Sequence, residues 1–420
     1  ITDHHEPVTQ NIAPPPPPLP PEFLIPDALA VINPKTFNLR PSISNLSGAG
    51  VAFKLAQALA TIHDSRFTIH DFLDLAALGT IADVVPITGE NRFIVKEGLN
   101  LMEKEIKPGL RALNKVSGIE GRQVKSGLLS FTIIPRINAA GRLADSNKVV
   151  DLLLADSENE AIDISLWLDK LNSERQQIEE EIYQEALSRL DNKDVGPAIV
   201  LSSKGWHEGV IGIVAARIAE SFYRPTFLIS IEGHLARGSA RSIPPFDIYK
   251  GLTACRELLT GFGGHKRAAG FKLEASNISS FEERINRIVS QTLADKDFIS
   301  TLEIDADVNF SDIHFNLIRE FELLEPFGFG NPEPLLGSRG LEVLYPRIVG
   351  NNHLKMKLKQ KSQSFDTIGF DMAVFFDRLE VSTTVDAVFT PCINEWERGR
   401  CLQLNLKAFR PTLLKTVNNV

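Results

Sequence analysis

Ala198-Ile-Val-Leu-Ser-Ser-Lys-Gly-Trp-His-Glu-Gly-Val-Ile-Gly-Ile-Val-Ala-Ala-Arg217 decides the fold class of this chain. Its first four residues form a short apolar run, the length of a buried strand. Residues 210–219 read as a helix, and Gly209 and Gly212 stand where the strand feeds it. Free N–H groups and the dipole at such a helix start favour phosphate. Downstream, 225–231 and 234–242 read as a hairpin pair and 248–259 as a helix. Gly261-Phe-Gly-Gly-His265 reads as a glycine loop. Strand alternating with helix is the pattern of an α/β layer with a parallel sheet.

Upstream, Ser157 and Glu160 make a capping-box pattern. Behind it Ile162, Leu166, Leu171, Ile178, Ile182, Leu187 and Leu190 recur at near-helical spacing, with no Gly or Pro before Val195. This predicts one helix of roughly 30 residues, about 45 Å long, of the kind that joins two bodies. Gly196-Pro197 stops it. Nearer the start, Ala28-Leu-Ala-Val-Ile32 reads as a strand ending at Asn33-Pro34. Ser47-Gly-Ala-Gly50 opens a helix over 51–59. A second helix over 69–78 carries Gly79-Thr-Ile-Ala-Asp-Val-Val-Pro86 at its end. Residues 14–21, PPPPPLPP, have fixed φ and no donors for a sheet, and read as a polyproline spacer. Beyond about residue 300 the pattern changes to short alternating runs: Leu341-Glu-Val-Leu344, Leu354-Lys-Met-Lys-Leu358, 385–389 and Leu402-Gln-Leu-Asn-Leu406. These suit a small antiparallel barrel, of which the five-stranded single-strand-binding barrel is one form.

The 420 residues suffice for two to four domains, and 43% hydrophobic content is that of an ordinary globular protein. Three cysteines, Cys255, Cys392 and Cys401, make no disulfide framework and point to a reducing, cytoplasmic setting. No apolar run approaches the roughly 18–20 residues of a membrane span. The net charge of −8 argues mildly against a general nucleic-acid binder. Between 200 and 275, however, ten Lys/Arg face six Asp/Glu, a local 10 − 6 = +4. A basic segment inside an acidic protein fits an anionic substrate held in a cleft.

Several clusters carry chemistry. In Asp3-His4-His5 one imidazole can ligate a metal while another faces a substrate. Asp83 sits in an apolar octapeptide, where a carboxylate needs a partner such as a metal ion or else caps a turn. Pro135-Arg-Ile-Asn-Ala-Ala-Gly-Arg142 sets Arg136 and Arg142 around a small-residue turn. Trp206 and His207 open the glycine-bearing helix. Gly238-Ser-Ala-Arg-Ser242 offers Ser239 and the fork of Arg241 to phosphate oxygens. Gly263-Gly-His-Lys-Arg267 allows close backbone approach beside His265 and two cations.

Asp-His-His, Gly-Thr-Ile-Ala-Asp-Val-Val-Pro, Pro-Arg-Ile-Asn-Ala-Ala-Gly-Arg-Leu, Trp-His-Glu-Gly-Val-Ile-Gly-Ile-Val-Ala, Gly-Ser-Ala-Arg-Ser, Gly-Gly-His and Leu-Glu-Pro-Phe-Gly-Phe-Gly-Asn-Pro-Glu-Pro334 occur in this order. Through that series the chain resembles the RecJ-type single-strand-specific exonucleases, a branch of the DHH phosphoesterases, across nearly its whole length. The resemblance implies an α/β protein of four parts. These are the end of a parallel-sheet DHH domain (1–105), a segment with the long connecting helix (106–194), a second α/β, DHH-associated substrate domain (195–295) and an OB-like barrel (296–420). The barrel resemblance extends to Asn351-Asn-His-Leu-Lys355 and Asn394-Glu-Trp396.

The resemblance further implies a two-metal hydrolase using Mn²⁺ or Mg²⁺, which releases mononucleotides 5′→3′ from single-stranded DNA in repair and recombination. His4 and Asp83 would be metal ligands, with Asp3 and His5 catalytic. Arg136, Arg142, Trp206, His207, Ser239, Arg241 and His265 would hold substrate. A single-strand-binding protein and a helicase are implied partners. The family's first two motifs precede Asp-His-His, so a chain starting at Ile1 is expected to be an N-terminally truncated fragment. It would lack bridging carboxylates, expose apolar edges over 1–100 and hydrolyse little. Two other readings stay open: a non-catalytic single-strand-binding scaffold, and a phosphodiesterase for very short or cyclic oligonucleotides.

Overall fold

The computed structural model describes residues 28, 30–35, 45–63, 68–104, 107–190, 195–350, 352–379, 383–394 and 400–412. In chain order among the described residues, α1 (Gly48–His63), α2 (Leu73–Ala82), α3 (Gly89–Lys104), α4 (Pro108–Val116), α5 (Ser126–Phe131), α6 (Ile133–Leu143), α7 (Asn147–Leu154) and α8 (Glu158–Leu190) precede the first described strand. Then come β1 (Ile199–Lys204), α9 (Glu208–Phe222), β2 (Thr226–Glu232), β3 (Leu235–Arg241), α10 (Ile248–Thr253), β4 (Leu259–Gly264), β5 (Ala268–Glu274) and α11 (Ile278–Thr292). The last elements are β6 (Ala306–Asp307), α12 (Phe315–Glu322), β7 (Leu336–Val349), β8 (His353–Gln360), β9 (Gln363–Gly369), β10 (Thr384–Asn394) and β11 (Cys401–Pro411). The chain divides into two compact units. One gathers the described residues of Ile1–Lys104, Val124–Leu129 and Leu302–Val420. The other gathers Glu105–Gln123 and Ser130–Thr301.

In the second unit β1 and β2 run parallel with α9 as their crossover, as an apolar strand followed by an amphipathic helix requires. The other pairs of the β1-β2-β3-β5-β4 sheet are antiparallel. Alternation divides the strands between two cores. Phe227 and Phe271 turn to one face and pack with Phe281 of α11, at ring-centroid distances of 5.0–6.1 Å. Ile199 and Leu228 turn to the other, against Val210, Ile211, Val214 and Ile218 of α9 and Ile182 and Ala186 of α8. Helix α8 spans 33 residues, and Ser157 Oγ accepts from the Glu160 N–H at 3.3 Å as expected of its cap. It connects α4, α6 and α7 to α9 within this one unit. Its buried stripe is Ala161, Ser165, Leu168, Leu171, Asn172, Arg175, Ile182 and Ala186. Leu166, assigned to the stripe from spacing, points to solvent.

Three local elements differ from expectation. The residues around Arg136 and Arg142 form helix α6 and not a turn, since Ala139, Ala140 and Gly141 extend a helix without strain. The glycine loop is strand β4, whose Gly261, Gly263 and Gly264 pair with Lys272, Gly270 and Ala269. The helix expected over 248–259 stops at Thr253, and a 3₁₀ turn, Arg256–Leu258, leads straight into β4.

In the first unit β7, β8, β9, β11 and β10 follow one another, and a β10–β7 pairing closes them into a five-stranded barrel. The β9–β11 pair is parallel. That order is the Greek-key barrel of an OB-fold. Leu341, Val343, Leu354, Met356, Leu358, Val385, Phe389, Leu404 and Leu406 fill it, with Phe310 against Phe365 and Phe389 at 5.1 and 6.0 Å. Strand β9 escapes the hydrophobic pattern because one of its core positions is Thr367 and another Gly369. The N-terminal part holds α1, α2 and α3. Among its described residues, the strand expected over 28–32 is reduced to a bridge at Ile32.

Candidate functional site

Four of the residues singled out for phosphate gather around the start of α9. His207 is its N-cap, accepting the Gly209 N–H at Nδ1 over 3.1 Å. Arg142 lies at the end of α6, and its Nη1 donates to the Gly209 carbonyl at 2.9 Å. On β3, Arg241 Nη1 donates to Ser239 Oγ at 3.2 Å and to the Ala240 carbonyl at 2.9 Å. The two glycines make this packing possible. A Cβ on Gly209 would fall 2.4 Å from the Arg142 carbonyl oxygen, and one on Gly212 2.9 Å from Ser239 Oγ and 3.1 Å from Arg241 Nη2. Burial, and then the charge of Arg142, push the Arg241 guanidinium below its ordinary pKa. Burial and the charge of Arg175 lower Arg142 likewise, with Glu179 opposing them. Two desolvated guanidinia that repel one another, beside a hydroxyl and a helix start, form an anion-binding arrangement.

Beside this clamp the sheet offers bare backbone. Arg237, Ser239 and Arg241 share one face of β3, opposite Lys272, Gly270 and Ala268 of β5. Gly270 and Lys272 in turn face Gly263 and Gly261 of β4. No heavy atom stands within 4 Å of where a Cβ would sit on Gly261 or Gly263, and on Gly270 only the Gly238 carbonyl, at 4.0 Å. A phosphodiester could lie directly on this strip, flanked by Lys272, while Arg237 at its margin is ion-paired with Glu208 at 2.6 Å. His265 is exposed at its end, its N–H donating to the Ala268 carbonyl at 2.8 Å. Gly270 and Lys272 were missed by sequence reasoning, and the spacing of Ala268-Ala-Gly270 after the histidine was the available signal.

Not every candidate is brought there. Trp206 is buried, its Nε1 donating to Glu185 Oε2 at 2.7 Å while Arg189 stacks over the ring. Its surroundings are those of a packing anchor. Burial would raise the Glu185 carboxyl. Hydrogen bonds from Trp206 and Ser203 and the charge of Arg189 outweigh that and hold it below the usual carboxylate range. Arg136 is engaged with Asp169 at 2.8 Å and with the Thr132 carbonyl.

In the other unit Asp83 is the exposed C-cap of α2, its N–H bonded to Gly79 O at 3.0 Å. The apolar octapeptide does not bury it. The next residue, Val84, has φ 54°, a left-handed conformation that a β-branched side chain resists. Gly79 lets α1 approach, since its Cβ would meet Ala49 Cβ at 2.4 Å, and Ser47 Oγ bonds Thr80 Oγ1 at 3.0 Å across the same contact. Asp83 thus carries an exposed carboxylate on a strained corner, a donor type that Mn²⁺ and Mg²⁺ accept. No group of three or more His, Cys, Asp and Glu suited to a metal occurs among the described residues. Asp3, His4 and His5 lie outside the described residues.

The barrel carries a second basic surface. On β8, His353, Lys355, Lys357 and Lys359 alternate outward with buried Leu354, Met356 and Leu358. Tyr345, Arg347, Lys355, Met356, Lys357 and Asp366 line a cavity of about 190 Å³ there. Exposed Tyr345 and Phe370 flank the basic row.

Residues 195–291 match the DHHA1 domain and residues 304–408 the RecJ OB domain. The single-stranded-DNA-specific exonuclease RecJ of Salmonella typhimurium (strain LT2) is 32% identical over 427 residues, which span 96% of this chain and 71% of that protein. The chain belongs to the RecJ family. RecJ of Bacillus subtilis (strain 168) is 36% identical over 97% of the chain, and the chain spans about half (50%) of that relative's length. The crystal structure of RecJ from Thermus thermophilus in complex with Mn²⁺ superposes with a TM-score of 0.81 at 32% identity, over 98% of this chain and 58% of that one. Its complex with Mg²⁺ gives 0.77, over 91% and 59%. No helix among the described residues is long and apolar enough to cross a membrane.

Proposed function

We propose that this RecJ-family chain works as a single-strand-specific DNA exonuclease of the 5′→3′ polarity expected of the family, in cytoplasmic DNA repair and recombination. The observation that carries the proposal is the clamp of Arg142, Ser239 and Arg241 at the start of α9, beside the glycine strip. Arg142 and Arg241 hold a terminal phosphate, Ser239 donates to it, and His207 fixes the turn. Gly261, Gly263 and Gly270 let the following phosphodiesters lie on the backbone, with His265 at the strip's end. The barrel's row of lysines with Tyr345 and Phe370 gives a track that pairs cations with stacking faces, the combination that retains single strands without reading sequence. Trp206 and Arg136 act by support, through Glu185 and Asp169.

Mn²⁺ or Mg²⁺, two ions in the family's scheme, would be held in part by His4 and Asp83. When bound they supply water activation and charge neutralisation. Asp3 and His5 take the catalytic places beside them. The four-part division into DHH, helical, DHH-associated and OB segments belongs to the same proposal, as do a single-strand-binding protein and a helicase as partners. The rival scaffold reading needs the barrel but not the clamp.

The deciding experiment compares 5′-phosphorylated single strand, 5′-hydroxyl single strand and blunt duplex. We expect tighter binding of the phosphorylated single strand, lost in Arg241→Ala. Whatever Mn²⁺-dependent mononucleotide release the chain shows should fall in Asp83→Asn. Equal binding of all three ligands, unchanged by Arg241→Ala, would refute the clamp.

A further inference from the structure

The stretch Leu324-Glu-Pro-Phe-Gly-Phe-Gly-Asn-Pro-Glu-Pro334, which leads into the barrel, has no place in the chemistry above. Within the first unit it is bolted to the segment that follows Asp83. Arg92 of α3 donates from Nη1 to the Leu324 carbonyl at 2.8 Å, and from Nη2 to those of Leu323 and Glu325 at 3.1 and 2.8 Å. These carbonyls lie just past the end of α12, where a helix leaves acceptors unpaired and favours a cation. A neighbouring helix thus supplies the cap. The Ile87 N–H donates to the Phe329 carbonyl at 2.7 Å. A Cβ on Gly328 would strike Ile87 Cδ1 at 2.4 Å. One on Gly330, itself at φ +75°, would come 2.9 Å from Pro86 Cβ. Asn331 locks the loop by donating to the carbonyls of Leu324 and Pro326, both at 2.9 Å. Lys125 pairs with Glu325 at 2.8 Å, and Ser126 Oγ donates to the Phe327 carbonyl at 2.5 Å.

On the other side, the same corner is held by α2 and α3. Val84 N–H reaches the Ile81 carbonyl at 3.2 Å, and buried Asn91 donates to the Pro86 carbonyl at 3.0 Å. Among the described residues, these backbone anchors of 83–87 belong to its own helices and to the barrel's lead-in. A strained residue such as Val84 persists only where its surroundings over-determine it.

We infer that residues 323–331 are a positioning device: through Arg92 and Ile87 they hold the strained Asp83–Ile87 corner and so fix where the Asp83 carboxylate points. The barrel then contributes to the metal half of the molecule as well as to strand binding. The functional consequence rests on Asp83 being a metal ligand, whereas the mechanical coupling does not. Arg92 is a positioning residue that touches no reacting atom.

The test uses Arg92→Ala, Arg92→Lys and, from the barrel side, Gly330→Ala. Hydrogen exchange at the Ile87 amide should quicken at least about tenfold in Arg92→Ala and in Gly330→Ala. Exchange in β7 and β11 should be unchanged, and Arg92→Lys should be intermediate, since an ammonium cannot span three carbonyls. The electron paramagnetic resonance signal of added Mn²⁺ should report roughly tenfold weaker binding in the two stronger variants, the lower end of what outer-shell changes cost. Unchanged exchange at Ile87 overturns the coupling. Faster exchange with wild-type Mn²⁺ binding overturns its role in placing Asp83. A wild-type chain that takes up no Mn²⁺ counts against Asp83 as ligand, and the coupling is then judged by exchange alone.

Discussion

Gly212→Ala separates ligand binding from stability at the clamp. Gly212 is in the second turn of α9, where alanine is favoured over glycine by about 1 kcal/mol. The new Cβ would sit 2.9 Å from Ser239 Oγ and 3.1 Å from Arg241 Nη2. Contacts relax only near 3.5 Å, so both tips must retreat by about 0.5 Å. Both are free ends of side chains and can turn aside without moving backbone. The 3.2 Å Arg241–Ser239 bond is lost, at about 1 kcal/mol, and the helix gain offsets it. The melting temperature should therefore stay within a degree or two of wild type. Phosphate binding should not survive as well. A misplaced charge-assisted hydrogen bond costs about 1.5–3 kcal/mol, or roughly 10–150-fold in affinity.

Fluorescence anisotropy with a 5′-phosphorylated single strand, and thermal melting of the same samples, supply the two numbers. Gly209→Ala is the control with the opposite expectation. Its Cβ would collide at 2.4 Å with the Arg142 carbonyl, a backbone atom that cannot swing away. That variant should lose about 1–3 kcal/mol of stability. If Gly212→Ala binds like wild type, Ser239 and Arg241 do not contact the ligand. If it melts many degrees lower, the glycine is there for packing.

Three further outcomes are expected. Val84→Gly should stabilise the first unit by about 0.5–1 kcal/mol in chemical denaturation: a left-handed non-glycine residue costs about 1–2 kcal/mol, and glycine returns part of that as unfolded-chain entropy. A destabilised variant would mean that Val84 is unstrained. Lys355→Ala should weaken single-strand affinity and lower the slope of log K against log salt by about 0.7, the value for one phosphate contact on a single strand, and Lys357→Ala should do so less because Lys357 is paired with Asp366 at 3.8 Å; an unchanged slope in Lys355→Ala would remove the β8 row from the track. Because the Glu185 carboxyl is held below its unfolded pKa, the stability it gives is present above the ordinary carboxylate range and is lost as pH falls through its lower folded value. Melting temperature should thus drop less steeply on acidification in Glu185→Gln than in wild type, and parallel curves would contradict this.

Much of the second unit was legible because its elements are long and cleanly patterned. The β1–α9–β2 crossover, the hairpin and the capped α8 followed from apolar runs and punctuation. Where reading failed, a residue served two purposes. Glycine in 261–264 signals a loop, yet these residues pair as β4 because the strand has neighbours on one edge and needs no side chains on its open face. Alanines and a glycine in 139–141 suggest a turn, yet Ala139 and Ala140 are buried on α6, which packs against α8, and Gly141 continues the helix on its exposed side. The barrel strand β9 stayed hidden behind Thr367 and Gly369. At the site, residue types pointed to Arg142, Ser239 and Arg241, but only the structure shows Arg136 and Trp206 already engaged elsewhere in the protein.

The physical logic of both candidate sites is the same, and it rests on absent side chains more than on charge. The clamp's arginines are not unusual in number, since α8 and α9 also carry Arg175, Arg189 and Arg217, each paired with a glutamate. What distinguishes Arg241 is that Gly212 leaves room beside its fork and that it donates to a hydroxyl and a carbonyl. A guanidinium already neutralised by a carboxylate gains little from a phosphate, whereas one held by neutral acceptors and repelled by Arg142 gains much. The Asp83 corner works similarly: Gly79, Gly328 and Gly330 let α1 and the barrel's lead-in press on it from two sides until Val84 is held at positive φ. Introducing a carboxylate beside Arg241, as in Ser239→Asp, should therefore abolish preference for the 5′-phosphate while leaving single-strand binding by the barrel intact; a variant that keeps the preference would show that the site is selected by total charge and not by unpaired charge.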